Sequence, residues 1–222
     1  LVEYIQAQPE LKIESVYSHL ADADNQKDTH FTQFQISQFN LVCEELKHYF
    51  PKFCRHLLNS EGIINYSSAQ LDMVRVGIGM YGISKSPEIA KKIVPVLKWK
   101  SVVSQIKTIE KGESVGYSRT FISDKSYTIA IIPLGYADGF KRSLSNGNGG
   151  VYIRGNYCPT IGRVCMDMIM VDVTGISAKV GEEVEIIGEN QTLEKLAIKL
   201  ETIPYEIMTS ISNRVHRVYI EE

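Results

Sequence analysis

The chain has 222 residues, 44% of them apolar, with 24 Lys and Arg against 26 Asp and Glu. This length gives one large domain or two modest ones, and the mixed charge points away from nucleic acid or an anionic membrane surface as partner. The four cysteines have no C-x-x-C spacing and no paired histidines, which argues against a zinc site and leaves free thiols as the default.

No apolar run approaches the roughly 20 residues needed to span a bilayer, and the start lacks the basic and apolar pattern of a signal peptide. A cytoplasmic segment is expected. The first residue is not Met, and residues 1–7 read as a helix tail ended by Pro9. A fragment of a longer polypeptide is therefore expected.

Residues 13–17 predict a short buried strand, followed by Ser18-His-Leu-Ala-Asp-Ala-Asp24. Phe39, Val42, Cys43, Leu46, Tyr49 and Phe50 follow helical spacing for one apolar face, and Pro51 stops that helix. Residues 53–58 predict a second strand, 68–71 a short helix and 73–78 a third strand. Strands alternating with helices predict a parallel sheet, with functional groups at the strands' carboxyl ends. His19, Asn59 with Ser60, and Arg75 with Gly77 stand at those ends. Three strands cannot close a barrel, so this part reads as about the last three units of an eight-stranded one.

Residues 84–93 are polar and contain Pro87, which sets the expected boundary: 1–84 a partial TIM-type barrel, 85–222 a β-domain. Beyond it the pattern turns to β. Residues 97–109 predict one long strand, 126–133 a strongly apolar one, and 168–173 and 184–187 two more. Gly155-Asn156 marks a hairpin. Thr192 caps a predicted helix over 193–200, and 214–220 predict a closing strand. The fold class is thus α/β plus β: the C-terminal part of a (β/α)8 barrel, then a mostly antiparallel β-domain. Within it, Ile161-Gly-Arg-Val-Cys-Met-Asp-Met168 interrupts an apolar run with an Arg and an Asp, and buried charges need partners.

That stretch, with Val115-Gly-Tyr-Ser-Arg119, Leu134-Gly-Tyr-Ala-Asp-Gly139 and Ile211-Ser-Asn-Arg-Val-His-Arg217, resembles the C-terminal domain of the alanine racemase family. Tyr17 to Asp24, His56-Leu-Leu-Asn-Ser60 and Val74-Arg-Val-Gly-Ile-Gly-Met-Tyr-Gly82 are similar to the family's strand-end motifs. The resemblance implies a homodimer that uses pyridoxal 5′-phosphate, with active sites shared between subunits. Arg75 is implied to donate to the cofactor's pyridine nitrogen, and His19 to link Arg75 to a catalytic tyrosine. Ser60 and the amides of Gly77 and Ile78 are implied to hold the phosphate. Tyr117 is implied as one of two catalytic bases, acting in the neighbouring subunit's site. A phenol ordinarily titrates near about 10, so it needs a cationic or hydrogen-bonded neighbour to serve as a base. Met166 is implied to offer its backbone amide to the substrate carboxylate. Tyr136 is implied to line the substrate entrance, with Asp24, Arg142, Arg163 and Ile211 as the corridor's next layer. Taken singly, His19 reads as a core histidine, Tyr117 as packing, and the corridor charges as an ion-pair network.

Two departures stand out. The family's lysine that anchors the cofactor lies in a Lys-Ala-Asn-Ala-Tyr-Gly-His-like run, which is absent here. The activity is therefore expected of a parent chain that carries the missing half. Asn213 stands where the family has a tyrosine. Asparagine is smaller and both donates and accepts, so a shift toward a hydroxylated substrate such as serine is expected. In this respect the chain resembles the membrane-bound serine/alanine racemases of vancomycin-resistant bacteria, where a membrane domain precedes the racemase and D-serine enters altered cell-wall precursors. An ordinary alanine racemase, a non-catalytic relative that binds the cofactor, and a decarboxylase of the same fold stay open beside it.

Overall fold

The computed structural model describes residues 1–220. It begins with a short helix, α1 (Val2–Gln6), and a strand, β1 (Ser15–Tyr17). A long helix follows, α2 (His30–Lys47). The Asn25 carboxamide accepts the Lys27 and Asp28 N–H groups, and the Asp28 carboxylate accepts that of His30, which leads the chain into α2. At its far end the His48 ring meets the Glu44 and Glu45 carbonyls before Pro51. Helix α2 carries the chain back to β2 (Cys54–His56), which pairs in parallel with β1, Ser15 opposite Cys54 and Tyr17 opposite His56. Then come α3 (Ser60–Asn65), a 3-10 turn over Ser67–Ala69, a second over Ile78–Tyr81, and α4 (Pro87–Ala90).

The buried face of α2 is Thr32, Phe39 and Cys43, with Ile36 packed against the same core. That core holds Leu20, Ala23, Leu57, Leu58, Tyr66 and Ala69. Val42 and Tyr49, assigned to the buried face from spacing, are exposed instead. The stripe runs through Thr32, Ile36, Phe39 and Cys43, and Val42 lies about 100° away from Cys43 on a helix.

The third strand expected over 73–78 does not form. A single parallel bridge joins Met73 to His56, and the Arg75 N–H donates to the Leu58 carbonyl at 2.9 Å. Gly77 then leaves the extended region (φ −111, ψ −100) and the chain enters the 3-10 turn at Ile78. Among the described residues no further strand flanks this edge, so half of a ladder is missing.

Two compact units divide the chain, Leu1–Val96 and Leu97–Glu222, so the polar stretch over 84–93 lies within the first. The second unit contains β3 (Trp99–Val102), β4 (Gln105–Ile109), β5 (Ser114–Val115), β6 (Phe121–Ile122), β7 (Tyr127–Ile132), β8 (Gly150–Ile153), β9 (Asn156–Pro159), β10 (Ile169–Asp172), β11 (Glu183–Ile187), α5 (Leu193–Lys199) and α6 (Pro204–Ser210). The single strand expected over 97–109 is two. Val103 donates to the Glu182 carbonyl while Ser104 donates to that of Ile131, so the chain changes sheets between them. One sheet runs β10-β7-β4 and the other β3-β11-β8-β9, every pair antiparallel. A bridge from Thr160 to Val171 joins the sheets at the opposite side.

Strand β7 is buried on both faces. Ile129 packs with Ile109, Val115, Ile161 and Met170, while Ala130 and Ile132 are fully buried on the alternate face. The β8–β9 turn has Arg154 at φ 52 and Gly155 at φ 74, the conformation a two-residue hairpin requires. The Thr192 hydroxyl caps α5 by accepting the Lys195 N–H. The strand expected over 214–220 is absent as far as the described residues go. Val215 turns back to the Ser212 carbonyl, and the Arg217 guanidinium takes the carbonyls of Ile211, Ser212 and Val215. No described helix is long and apolar enough to cross a membrane.

Candidate active site

In the first unit the half-buried Arg75 is the centre of a hydrogen-bonded cluster. Its Nη1 donates to His56 Nδ1 at 2.8 Å and to the His56 carbonyl at 3.1 Å. Its Nη2 reaches the Ser18 carbonyl at 2.8 Å, the Leu57 carbonyl at 3.3 Å and His19 Nδ1 at 3.3 Å. A guanidinium only donates, so His56 accepts at Nδ1 and carries its proton on Nε2, which faces Ser15 Oγ at 3.3 Å. Burial, and then the Arg75 charge, push His56 below the ordinary histidine range, in keeping with that neutral ring. Tyr17 stacks on His56, and the Arg75 guanidinium lies 5.4 Å from the Tyr17 ring centre. No carboxylate pairs with Arg75 among the described residues, and its Nε–H has no partner there.

His19 sits between two donors, Arg75 Nη2 and Asn59 Nδ2 at 3.4 Å, and a neutral ring accepts from one at a time. Asn59 is oriented by capping α3, its Oδ1 accepting the Gly62 N–H at 2.9 Å. Ser60 follows and is buried. Its Oγ accepts the Gly77 N–H at 2.9 Å and the Gly79 N–H at 3.3 Å, and its own proton has no acceptor among the described residues. Ile78 is buried next to them. A cavity of about 200 Å³ lies alongside, lined by Ser60, Ile63, Val76, Gly79 and Ile83 among others. His19, Ser60, Arg75, Gly77 and Ile78 thus form one cluster at the carboxyl ends of the strands. It suits a ligand that offers an acceptor to Arg75 and anionic oxygens near Ser60. Asp24 is paired instead with Lys85, whose hydrogen bond holds that carboxyl below the usual range.

In the second unit two groups form. Tyr117 lies in a turn where Gly116 (φ 78), Ser118 (φ 59) and Arg119 (φ 49) all adopt left-handed backbone, and the residue is 69% exposed. Positive φ at Ser118 and Arg119 is strained, as is common where a side chain must be presented. Arg163 Nη1 donates to Ser118 Oγ at 3.2 Å, which joins this turn to the 161–168 stretch.

The other group holds Tyr136, Met166, Ile211 and Asn213. The Tyr136 N–H donates to the Cys165 carbonyl and the Ala137 N–H to that of Met166, both at 3.0 Å. Gly135 permits that stacking, since a Cβ there would lie 2.2 Å from the Met166 oxygen. The Met166 N–H has no partner among the described residues. Asp138 Oδ2 accepts the Gly135 N–H at 2.7 Å, its carbonyl accepts the Ser212 N–H, and its Oδ1 meets Arg214 Nε at 2.8 Å. Arg214 also grips Asp167. Asn213 is exposed, with an uncommitted carboxamide among the described residues. Arg142 is exposed, with no carboxylate partner among them either. The residues missed from sequence are His56, Asp138 and Arg214. A buried-strand histidine immediately before the Leu-Leu-Asn-Ser run, and an Arg beside Asn213, were the available signals.

A strand-and-helix unit with a ligand-ready arginine, followed by an antiparallel β-domain, is the architecture that emerges. The description "Alanine racemase, C-terminal domain" matches residues 96–219, and "Alanine racemase, N-terminal domain" matches residues 1–85. The chain belongs to the alanine racemase family. It is 40% identical over 223 residues to the alanine racemase of Clostridium tetani, covering 96% of this chain and 57% of that protein. It is 40% identical over 218 residues to alanine racemase 2 of Caldanaerobacter subterraneus, covering 95% of this chain and 56% of that one. Among solved structures, alanine racemase from Bacillus anthracis with bound L-Ala-P superposes with a TM-score of 0.90 at 33% identity, covering 99% of this chain and 58% of that one. The Bartonella henselae enzyme with covalently bound pyridoxal phosphate gives 0.85 at 34% identity, covering 99% and 61%. The chain therefore spans somewhat more than half the length of these relatives.

Proposed function

We propose that the full-length protein is a pyridoxal-phosphate-dependent amino-acid racemase acting on alanine. Family membership and the alanine racemase name of its relatives support the reading. The observation that carries it is Arg75: half-buried, without a carboxylate among the described residues, its other N–H groups committed and Nε–H left over there. When bound, pyridoxal phosphate acidifies the proton on an amino acid's α-carbon. Arg75 would face the ring nitrogen and, keeping its own proton, leave that nitrogen unprotonated. This favours simple return of the α-proton. The Ser60 hydroxyl and the Ile78 amide would hold the phosphate, with the Gly77 amide, which donates to Ser60 Oγ, fixing the hydroxyl.

The Met166 N–H, without a partner among the described residues, would take the substrate carboxylate. Tyr117 would move the α-proton on one face, and a lysine outside this chain would serve the opposite face and anchor the cofactor. The exposure of Tyr117 suits work in a neighbouring subunit's site, hence a homodimer. Tyr136 would line the entrance with Ile211, and the charges of Arg142 and Arg163 would steer a small zwitterion toward it.

A serine-directed enzyme is the second reading, and Asn213 favours it. Its carboxamide is free to bond a hydroxyl where the resemblance places a tyrosine. In that reading the parent is a membrane-anchored racemase. The test is turnover of L-alanine and L-serine by the full-length protein with pyridoxal phosphate, as wild type and Asn213→Tyr. Preference for L-alanine in both supports the alanine reading. Wild-type turnover of L-serine that drops by about 10–100-fold in the variant supports the serine reading. Turnover of neither overturns both and leaves a cofactor-binding relative.

A further inference from the structure

The charges nearest Tyr136, Met166 and Asn213 are Asp138, Asp167 and Arg214. Arg214 follows Asn213, Asp167 follows Met166, and Asp138 stands two residues after Tyr136. Arg214 Nε meets Asp138 Oδ1 at 2.8 Å while Nη2 meets Asp167 Oδ1. One guanidinium thus spans two carboxylates that come from two different turns. Its N–H directions are fixed in a plane, so it sets the spacing and orientation of both. A lysine would keep the charge and lose the geometry.

We infer that Arg214, with Asp138 and Asp167, is a positioning clip that sets where Asn213 and Met166 stand, and so governs which side chain the substrate carries. The inference rests on the racemase reading above. Three observations support it. Each charged group lies within two residues of a proposed substrate contact. The Asn213 side chain has no partner of its own among the described residues, so its neighbours' anchoring sets its place: Ser212 N–H on the Asp138 carbonyl, and Arg214 on both carboxylates. The Gly135 and Met166 backbones are stacked too closely for a Cβ, so the two turns move together. The Arg214 and Asp167 side chains are 50% and 52% exposed, and a pair that wet contributes little to stability, so its contribution is orientation. The buried Asp138 carboxylate also needs the guanidinium's charge, which Arg214→Lys keeps.

The test uses the full-length protein with pyridoxal phosphate bound, as wild type, Arg214→Lys, Asn213→Ala and the double variant. kcat and KM are measured for L-alanine and L-serine. Arg214→Lys is expected to change the ratio of the two kcat/KM values by about tenfold, chiefly through KM, and by less than about twofold when residue 213 is already alanine. Equal loss on both substrates, or the same change of ratio in the Asn213→Ala background, overturns the inference. A second readout needs no turnover. Amide exchange at Ser212, Tyr136 and Ala137 should speed by about tenfold in Arg214→Lys while the β7 amides hold. Unchanged exchange at those three amides also overturns it. A wild type that racemises neither amino acid defeats the racemase reading alone, and the exchange result then decides the clip.

Discussion

One added methyl group at Gly135 tests how tightly the proposed substrate contacts are built. A Cβ there would lie 2.2 Å from the Met166 oxygen, 2.3 Å from the Met166 carbonyl carbon and 2.4 Å from the Cys165 oxygen. Carbon–oxygen contacts settle at about 3.3 Å, so the 165–166 backbone must retreat by roughly 1 Å. All three atoms are backbone, and no flexible side chain can swing aside. The Tyr136 and Ala137 N–H groups, both 3.0 Å from their carbonyls, resist the movement. Overpacking of this kind costs about 1–3 kcal/mol, or roughly 2–10 °C in Tm. A displacement of about 1 Å in a group that orients substrate costs on the order of 100-fold in rate. Gly135→Ala is therefore expected to lower kcat/KM for L-alanine about 100-fold in the full-length enzyme. Cofactor absorbance should persist, because Arg75 and Ser60 belong to the other unit. Activity within about threefold of wild type with an unchanged Tm would refute the reasoning, since it would mean the two turns separate freely.

Other outcomes follow from the same geometry. Arg75→Lys removes the planar fork that reaches His56, Ser18 and Leu57, and should weaken pyridoxal phosphate binding about 10–100-fold in an absorbance titration. Unchanged affinity would show that Arg75 is only structural. The Arg55 guanidinium and backbone N–H hold Asp72 at about 2, below its ordinary 3.8. A depressed carboxylate stabilises the fold above pH 3.8, and that contribution is lost as the pH falls toward 2. The Asp72 side chain is 41% exposed, so screening limits the effect to about 1 kcal/mol. Asp72→Asn should flatten thermal stability across that window, and a parallel curve would contradict the assignment. Cys43 and Cys158 are buried, and burial pushes the Cys158 thiol to about 11. Neither should react with a thiol reagent at pH 8 before denaturation, and labelling of either in the native protein would contradict that burial.

Much of this protein is written locally in its sequence. The stop of α2 before Pro51, the hairpin that Gly155 marks (its turn falls on Arg154-Gly155, one residue before the expected Gly155-Asn156) and the Thr192 cap each depend on a few adjacent residues, whose backbone preferences act without help from the rest of the chain. The alternation of strand and helix, then of strand and strand, likewise sets the order of the two units. His19 and Ser60 follow the strands β1 and β2, a position the sequence marks, whereas Arg75 is legible through the family motif, since no strand forms over 73–78. What the tertiary structure decided is carried by partners far apart in the chain. Residues 97–109 are uniformly β-forming, and only the competing carbonyls of Glu182 and Ile131 split them between two sheets. Residues 73–78 and 214–220 have strand composition, but a strand also needs a neighbour to complete its hydrogen bonds. Arg214 has no local period or cap to mark it. Its role exists only where folding sets one guanidinium between Asp138 and Asp167, and no local pattern encodes a contact made across dozens of residues.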